Sequence, residues 1–479
     1  YDGAALRLYL DGVEVGSTID YTVRQTMQDV PFFSLRHSFA HVDPVQSAGL
    51  RIHAPRTLGL EILDRSGGSV TYSRSEAGET VTHTWSADSQ PAVVREDSLP
   101  PWWTLAPTVF VSAGDWPTYA GAIRGALRKA ADSRTAAAEL AARVTREAAT
   151  DLDKVVAVRN AVDRAVRSAG PGLPSLPLTA VTPADRTLQQ GYGNTTDKAV
   201  LLYAMLQAAG LEPSFRLVSS WGPESDTLAA PLTACPQRGL FDAVLVQVLA
   251  DGNPVTLNDS DQYDQPGTSP FDGQTALTLN GSLTEIRVVS GLDNRSDETY
   301  RIDLFENGDA MLTHVTKYYG TAYGRFRKQF SEMPPEERRR YFQELVAGVS
   351  QAAEARGDLL TDYANYPGRR SFTVFVPRYA VRSGDDLYLT LPGSQPGGLG
   401  LRGDRRENAF YRASSLDAVT RYDVVVPAAA DRIELHPRDA TWAGPDRLGL
   451  VRIAARTEPA CGGGTKVCVE HKVDLQPSV

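Results

Sequence analysis

The sequence predicts a multidomain protein: a β-sandwich, then an α+β domain, then a second β-rich domain. Over the first 120 or so residues, apolar and polar residues alternate in short runs, as in strands with one buried face. Alanine-rich windows of helical spacing lie between residues 118 and 168, and strand-like runs return after residue 297. A length of 479 residues suffices for roughly three domains. From these changes of pattern we expect the domain bounds 1–120, 121–296 and 297–479.

The first domain is predicted from alternation and turns. Leucines occupy every second position over residues 6–10, and Tyr21 and Val23 alternate with polar residues. Asp11-Gly12 and the run Ser-Gly-Gly at 66–68 are turn residues that separate short strands, as in an all-β sandwich. We therefore expect strands from near the start of the chain.

The second domain is predicted to hold a helical lobe, a core helix and strands. Windows 135–148 and 154–166 have helical spacing, and the motif Gly-Tyr-Gly-Asn-Thr-Thr-Asp-Lys-Ala at 191–199 opens an apolar run to Gly210. We expect Thr195 or Thr196 to cap this core helix and Gly210 to end it. Strands are expected at 214–220, 243–249 and 284–289.

The third domain is predicted to be β-rich with one helix. A helix is expected over residues 334–356, because proline and acidic residues favour a helical first turn. The expected strands cover residues 300–304, 309–316, 371–376, 387–391, 421–426 and 447–454.

Composition excludes several partners. The formal net charge is −9 and the pI is about 5.4, whereas a nucleic-acid-binding face needs clustered Lys and Arg. No run approaches the 18 or so apolar residues that a membrane helix needs. The chain starts at Tyr1 without a signal-like segment, so we expect a processed or incomplete product.

The segment from Gly191 through the apolar run resembles the active-site segment of bacterial transglutaminase-like (papain-like) proteins, whose usual pattern is Gly-x-Gly-Asp-Cys-x-Asp-Lys-Ala. The run Phe-Asp-Ala-Val-Leu-Val at 241–246 resembles the strand that carries the family's histidine. The run Leu-Asn-Asp-Ser-Asp-Gln-Tyr at 257–263 resembles the strand end that carries its aspartate. In the family, the His activates the Cys thiolate and the Asp orients the His.

This chain departs from the family pattern at all three positions. Thr195 stands where the Cys is expected, Ala243 where the His is expected, and Asn258 where the Asp is expected. A shifted alignment does not restore the pair, since no histidine lies between His83 and His314. We therefore expect no catalytic residues at this site and a pseudoenzyme that serves as a binding or structural module, with a protein or peptide as its partner.

The resemblance also indicates a binding cleft. The Pro- and Ser-rich loop at 221–239 corresponds to a loop that lines the substrate cleft in active members, which makes Trp221 a candidate wall residue. Tyr192 and Asp197, in the active-site segment itself, are the other candidates. No cofactor is expected. The acidic residues Asp259, Asp261 and Asp264 lack the glycine and closing glutamate of a calcium loop, so no metal is expected either.

Residues 85–116 resemble the β-rich domain of unknown function that precedes the transglutaminase-like domain in many exported bacterial proteins, and residues 318–327 resemble the C-terminal β-domain of the same multidomain family. The resemblance implies a periplasmic, cell-surface or extracellular location. It also implies that the first domain lacks its N-terminal part, which would leave an open sheet edge.

The three cysteines are assigned with this context. Cys461 and Cys468 flank a glycine-rich hexapeptide, and we expect them to form a disulfide, with two free thiols as the alternative. A metal site would need more Cys or His nearby. Cys235 is then left as a buried thiol.

Two other function classes stay open. The first is an amide-bond acyl-transfer enzyme, a peptidase or transglutaminase, that uses Thr195 with a base not identified in the sequence. The second is a subunit of an extracellular or envelope assembly that self-associates through the open edges of its β-domains.

Overall fold

In a computed structural model of the chain, the described residues are 9 and 11–476, apart from 25, 29, 174–175, 220–232, 394–404, 413–414, 431, 445–448 and 461–463. The chain divides into two compact units. Unit 1 comprises Tyr1–Gln262 and Gly273–Arg287, and unit 2 comprises Tyr263–Asp272 and Val288–Val479. The three-domain boundaries expected from the sequence stay a prediction.

Unit 1 begins with two three-stranded antiparallel sheets, of strand order β1-β6-β3 and β2-β5-β4. Trp85 and Ile52 of one sheet and Val109 and Val111 of the other lie in one buried core, which is the arrangement of a sandwich. The strands are β1 Ser34–Ser38, β2 Val45–Pro55, β3 Glu61–Arg65, β4 Thr71–Ala77, β5 Thr80–Gln90 and β6 Thr108–Ser112.

The predicted strand around Tyr21 and Val23 is wrong. Both side chains are exposed and the backbone there forms no ladder. Alternation by itself does not make a strand, because the apolar face needs a second surface to bury it. Residues 6–8 and 10, where leucines alternate, lie outside the described residues.

The rest of unit 1 packs helices against a five-stranded antiparallel sheet of order β11-β10-β9-β12-β13, beside a short parallel pair β7-β8. The helices are α1 Trp116–Asp132, α2 Thr135–Val144, α3 Asp151–Ala165, α4 Ala184–Gln190 and α5 Thr195–Ala208. The strands are β7 Arg167–Ser168, β8 Tyr192–Gly193, β9 Ser214–Val218, β10 Ala243–Ala250, β11 Asn253–Leu257, β12 Thr275–Thr278 and β13 Leu283–Glu285. The predicted helical lobe and core helix are confirmed, and the third predicted strand is shorter than expected.

The core helix α5 is buried on nearly every side, since all residues from Ala199 to Leu206 are buried. It ends as predicted at Gly210, whose φ is +82°. The Gly210 N–H donates to the carbonyl of Gln207, and the Leu211 N–H donates to that of Leu206, both at 3.1 Å. This pair of bonds is a Schellman motif, which closes the helix where only glycine adopts the left-handed conformation without strain.

Unit 2 is built on a large sheet of order β16-β18-β15-β14-β21-β24-β23-β22, with β17 also on β18, and a separate hairpin β19-β20. Its helices are α6 Gly320–Glu332 and α7 Pro335–Val349. Its strands are β14 Arg295–Leu304, β15 Ala310–Tyr318, β16 Glu354–Ala355, β17 Leu360–Asp362, β18 Gly368–Val376, β19 Val381–Ser383, β20 Asp386–Tyr388, β21 Leu416–Val426, β22 Ala440–Ala443, β23 Gly449–Pro459 and β24 Thr465–Leu475.

The large sheet buries one face. Ile302, Leu312, Val374 and Val424 lie in one core with Phe326 and Phe330 of α6. The expected β-rich class of this region is confirmed, with two differences. Helix α6 is not part of the prediction, and α7 ends at Val349, before the predicted end at residue 356. Among the described residues, no helix is long and apolar enough to span a bilayer.

Candidate functional site

Two glycines shape the turn that leads into α5. Gly191 has a φ of +68°, a conformation that side-chain-bearing residues rarely adopt. At Gly193, an added Cβ would lie 2.9 Å from the Cβ of Asp197 and 3.1 Å from the Thr187 methyl carbon. The turn therefore passes too close to the first turn of α5 for any other residue at position 193.

The helix cap differs from the prediction. Asn194, not Thr195 or Thr196, is the N-cap of α5, and its side-chain oxygen accepts from the Asp197 N–H at 2.9 Å. The Asp197 carboxylate in turn accepts from the Asn194 N–H at 3.1 Å and from the Thr182 N–H at 2.8 Å. The sequence carries this signal as Asn-x-x-Asp, a variant of the capping box. The predicted caps, Thr195 and Thr196, lie one and two residues after the observed one.

Asp197 is therefore not a cleft residue in this structure. Its side chain is only 4% exposed, and both carboxylate oxygens accept hydrogen bonds from backbone N–H groups. The negative charge lies at the positive end of the α5 dipole, where it stabilises the helix start.

The three positions predicted to correspond to the family triad lie at one end of the sheet. Thr195 begins α5 and is exposed, Ala243 begins β10, and Asn258 directly follows β11. The Asn258 side-chain amide donates to the Thr195 carbonyl at 2.8 Å and to the Val244 carbonyl at 2.7 Å. Asn258 thus ties the start of the helix to the start of β10, with Ala243 as the neighbouring residue.

The backbone at Asn258 is also unusual. Its φ is +77°, in the left-handed region, which asparagine tolerates better than most residues. The two carbonyl acceptors identify the donating atom as the amide nitrogen, since an oxygen there would have nothing to accept. Position 258 therefore has a structural role in this chain.

Among the described residues, no basic side chain forms a hydrogen bond with the Thr195 hydroxyl. Lys198, the basic side chain nearest in sequence, forms an ion pair at 3.0 Å with Asp163, and the two side chains are only 15% and 13% exposed. An ion-paired ammonium group has no lone pair with which to accept a proton. His83 shares a 2.8 Å hydrogen bond with the Tyr72 hydroxyl and stacks on Trp85 in the sandwich domain.

The other predicted cleft residues have different outcomes. Tyr192 is 54% exposed in β8, beside the turn into α5. Trp221 lies outside the described residues.

Within the part of the chain that is described, no three His, Cys, Asp or Glu side chains are grouped so as to hold a metal ion.

Cys235 is buried, as expected, where the chain approaches the sandwich domain. Its thiol donates to the Glu61 carbonyl at 3.6 Å, and the Gln237 amide donates to its sulfur at 3.6 Å. Burial raises the pKa of the Cys235 thiol to about 11, although the hydrogen bond from Gln237 partly opposes the shift. A thiol with so high a pKa is a poor nucleophile at neutral pH.

The predicted disulfide stays a prediction, since only one of its two cysteines is described; that residue, Cys468, is a buried free thiol. It lies within β24 opposite Arg456, and its sulfur donates to the Glu458 carboxylate at 3.5 Å. Burial is the largest cause of the raised pKa of Cys468. Its expected partner Cys461 lies outside the described residues. The spacing of the two cysteines predicts a flexible loop between them. Strand pairing extends to Thr465, so Cys468 lies within the sheet.

Comparison with solved structures places this geometry among known folds. A candidate protease from Parabacteroides distasonis ATCC 8503 matches 94% of this chain and 72% of its own, at 16% identity and a TM-score of 0.56, which shows a shared fold. A candidate cysteine protease from Cytophaga hutchinsonii matches 54% of this chain and 83% of its own, at 12% identity and a TM-score of 0.23. None of the curated proteins matches the chain.

Two family models match the sequence itself. Residues 1–94 match DUF3857, a domain of unknown function with a solved structure, and residues 138–247 match the transglutaminase-like superfamily. The second match covers α5 and the start of β10, which are the elements that position Thr195 and Ala243. This chain therefore carries a DUF3857 domain followed by a domain of the transglutaminase-like superfamily.

Proposed function

We propose that the transglutaminase-like domain of this chain is catalytically inactive and binds a protein or peptide ligand. One observation carries the proposal: among the described residues, no base is hydrogen-bonded to the Thr195 hydroxyl, and the side chain of the neighbouring Asn258 is an amide, which is not a base. A hydroxyl nucleophile needs such a base, or the chain's own terminal amine, to attack an amide carbonyl. Lys198 and His83 are both engaged elsewhere.

In this proposal the cleft beside Thr195 binds the ligand. Tyr192 and Thr195 lie three residues apart at the start of α5, and both are exposed. They therefore offer a surface that a bound peptide can contact. Peptide binding at this surface predicts that Tyr192→Ala weakens the binding of the ligand, while Leu249→Ala, which changes an exposed apolar residue on β10, does not. Affinity capture of peptides by the full chain, followed by mass spectrometry, identifies the ligand to titrate.

The activity test uses fluorescently labelled casein for hydrolysis and a fluorescent primary amine for acyl transfer. We expect no turnover above the protein-free blank, and no change in Thr195→Ala. Turnover that disappears in Thr195→Ala would instead establish a threonine enzyme.

A gain-of-function arm tests whether the triad geometry persists. Papain-like proteases use Cys, His and Asn, so the double variant Thr195→Cys/Ala243→His needs no change at Asn258. We expect its new thiol to react with iodoacetamide faster than the thiol of the single variant Thr195→Cys, because a neighbouring imidazolium lowers a thiol's pKa. Equal rates would mean that positions 195 and 243 do not face each other.

Export to the cell envelope is part of the proposal and is supported by the resemblance to exported multidomain proteins. Fractionation of the native host, with protease treatment of intact cells, locates the chain directly. Degradation only after lysis would contradict a surface location.

A further inference from the structure

A second candidate site lies within unit 1, between the sandwich domain and the turn that precedes β10. An open pocket of about 280 Å³ lies among Ser34 and Arg36 of β1 and the segment from Gln237 to Leu240. A wider pocket of about 490 Å³ shares Arg36 and is lined by His37, His41 and Trp102. The two pockets share Arg36 as a lining residue, and we refer to them together as the groove.

The walls of this groove are held in place by several contacts. The Arg36 guanidinium lies 5.0 Å from the centroid of the Trp103 ring. The Arg238 N–H donates to the Ser34 hydroxyl at 3.4 Å, and the Tyr119 hydroxyl donates to the Arg238 carbonyl at 3.5 Å. Gln237, which is buried, donates to the Val111 carbonyl at 3.1 Å. These contacts therefore hold the Arg36 side chain and the backbone of Arg238 in place.

The positive charge in the groove is uncompensated. Within the described part of the chain, neither Arg36 nor Arg238 forms an ion pair with a carboxylate, and the Arg238 guanidinium donates to the Met27 sulfur at 3.6 Å. The protein as a whole carries a net charge of −9. The Arg238 Nε and the His37 Nε2 are both buried without a hydrogen-bond partner. Native proteins pair nearly all buried polar atoms, so the Arg238 Nε, a donor without a partner next to an open pocket, points to a ligand that accepts from it.

The pKa values of the two arginines agree with this geometry. Burial lowers the pKa of both guanidinium groups, and at Arg238 the Tyr119 hydroxyl offsets part of the effect. An anionic ligand would supply the opposite charge that each now lacks.

We propose that this groove binds an acidic peptide, with one carboxylate held between Arg36 and Arg238 and a neighbouring apolar side chain against Trp102. The planar guanidinium fork matches a carboxylate in two parallel hydrogen bonds. The groove is many times the roughly 30 Å³ that one water occupies in the liquid, so it has room for a chain segment as well as an anion. Trp102 and Val42 supply the apolar wall.

The groove is distinct from the Thr195 site and does not depend on whether that site is inactive. Arg238 precedes Ala243 by five residues, which limits the distance between their Cα atoms to at most about 18 Å. A bound peptide of moderate length could therefore contact both sites.

Isothermal titration calorimetry on the full chain tests the proposal with two matched peptides, acetyl-Gly-Phe-Glu-Gly-amide and its Gln counterpart. We expect the Glu peptide to bind about tenfold more tightly, the effect of one charge-assisted hydrogen-bonded pair, and to weaken as salt increases. Equal binding of the two peptides would overturn the proposal. Inorganic phosphate is titrated separately, and tighter binding of phosphate than of the Glu peptide would overturn the peptide assignment.

Three variants locate the binding site. Arg36→Gln is expected to weaken the Glu peptide about tenfold, to the level of the Gln peptide. Arg238→Lys keeps the charge but loses the fork, and is expected to weaken binding severalfold. Arg287→Gln, which changes an exposed arginine elsewhere in unit 1 that pairs with Glu285, should bind as the wild type does. Thermal unfolding confirms that each variant is folded, and unchanged affinity in folded Arg36→Gln and Arg238→Lys would refute the site.

Discussion

The side-chain amide of Asn258 donates a hydrogen bond to the backbone carbonyl of Thr195 at 2.8 Å, and a second to the Val244 carbonyl at 2.7 Å. In the family pattern an aspartate occupies this position. A carboxylate cannot donate, so an aspartate here would face two carbonyl oxygens with no hydrogen to offer. The residue that departs from the family pattern thus performs a task that the family residue cannot perform in this arrangement.

We predict that Asn258→Asp lowers the free energy of unfolding by about 2–3 kcal/mol at pH 8, because two hydrogen bonds become repulsive contacts. The repulsion raises the pKa of the introduced carboxyl above its unfolded value of about 3.9. The penalty is therefore small below about pH 4 and grows as the pH rises through the raised folded-state pKa. Urea denaturation at pH 4 and pH 8 measures both limits.

The matched control is Asn253→Asp, an exposed asparagine at the start of β11. It makes the same chemical change in the same hairpin, and it should cost less than about 0.5 kcal/mol at either pH. An equal loss in both variants would show that the carbonyl contacts of Asn258 are not the cause.

Asp197→Ala tests the capping box at the start of α5. Removal of the carboxylate leaves two N–H groups without acceptors, that of the buried Asn194 and that of the half-buried Thr182. We expect the free energy of unfolding to fall by about 3 kcal/mol, since each lost charge-assisted bond costs about 1.5–3 kcal/mol. Chemical denaturation followed by circular dichroism measures the change.

Helix α3 offers a control for this prediction, because Thr150 and Asp153 form a capping box at its start. Asp153 is exposed, and its carboxylate accepts from the Thr150 N–H at 3.0 Å. Asp153→Ala should cost only about 1 kcal/mol, as water can satisfy the exposed N–H. Comparable losses in the two variants would contradict the importance of burial at Asp197.

The ion pair between Lys198 and Asp163 provides a third prediction. Lys198→Met leaves the Asp163 carboxylate buried without its partner, which should destabilise the protein by about 3–5 kcal/mol. Lys154→Met breaks the more exposed pair with Asp151, whose side chains are 31% and 45% exposed, and should cost less than about 1 kcal/mol. Denaturation midpoints of the two variants measure the difference. If Lys198→Met is as mild as Lys154→Met, the α3–α5 pair contributes little.

Thiol labelling tests the state of the cysteines. Because burial raises the pKa of Cys235 to about 11, only about one thiol in a thousand is ionised at pH 8, and Cys468 also has a raised pKa. We expect both to resist iodoacetamide in the native protein. In denaturant without a reductant, mass spectrometry should count three labels. A single label would mean that Cys461 and Cys468 are joined in a disulfide after all.

Local signals in the sequence explain which elements were predicted. The helical windows of the central domain and Gly210 carry their information within a few residues, and the structure contains both α2 and α3 and the Schellman motif. The alternation at Tyr21 and Val23 is equally local, but no partner strand or apolar layer covers it. The alternation of apolar and polar residues does not show whether a second strand or apolar layer is present to cover the apolar face.

By itself, the sequence determined the β, α+β, β class of the chain, and its resemblance to the family predicted that Thr195, Ala243 and Asn258 stand at the triad positions. Only the tertiary structure decided what those positions do, since the Asn258 contacts join residues 63 and 14 positions apart in the chain. It also decided that Cys468 is a strand residue and that Arg36 and Arg238 share one groove. Such pairings depend on how sheets and helices pack, and no short stretch of sequence encodes a contact between distant segments.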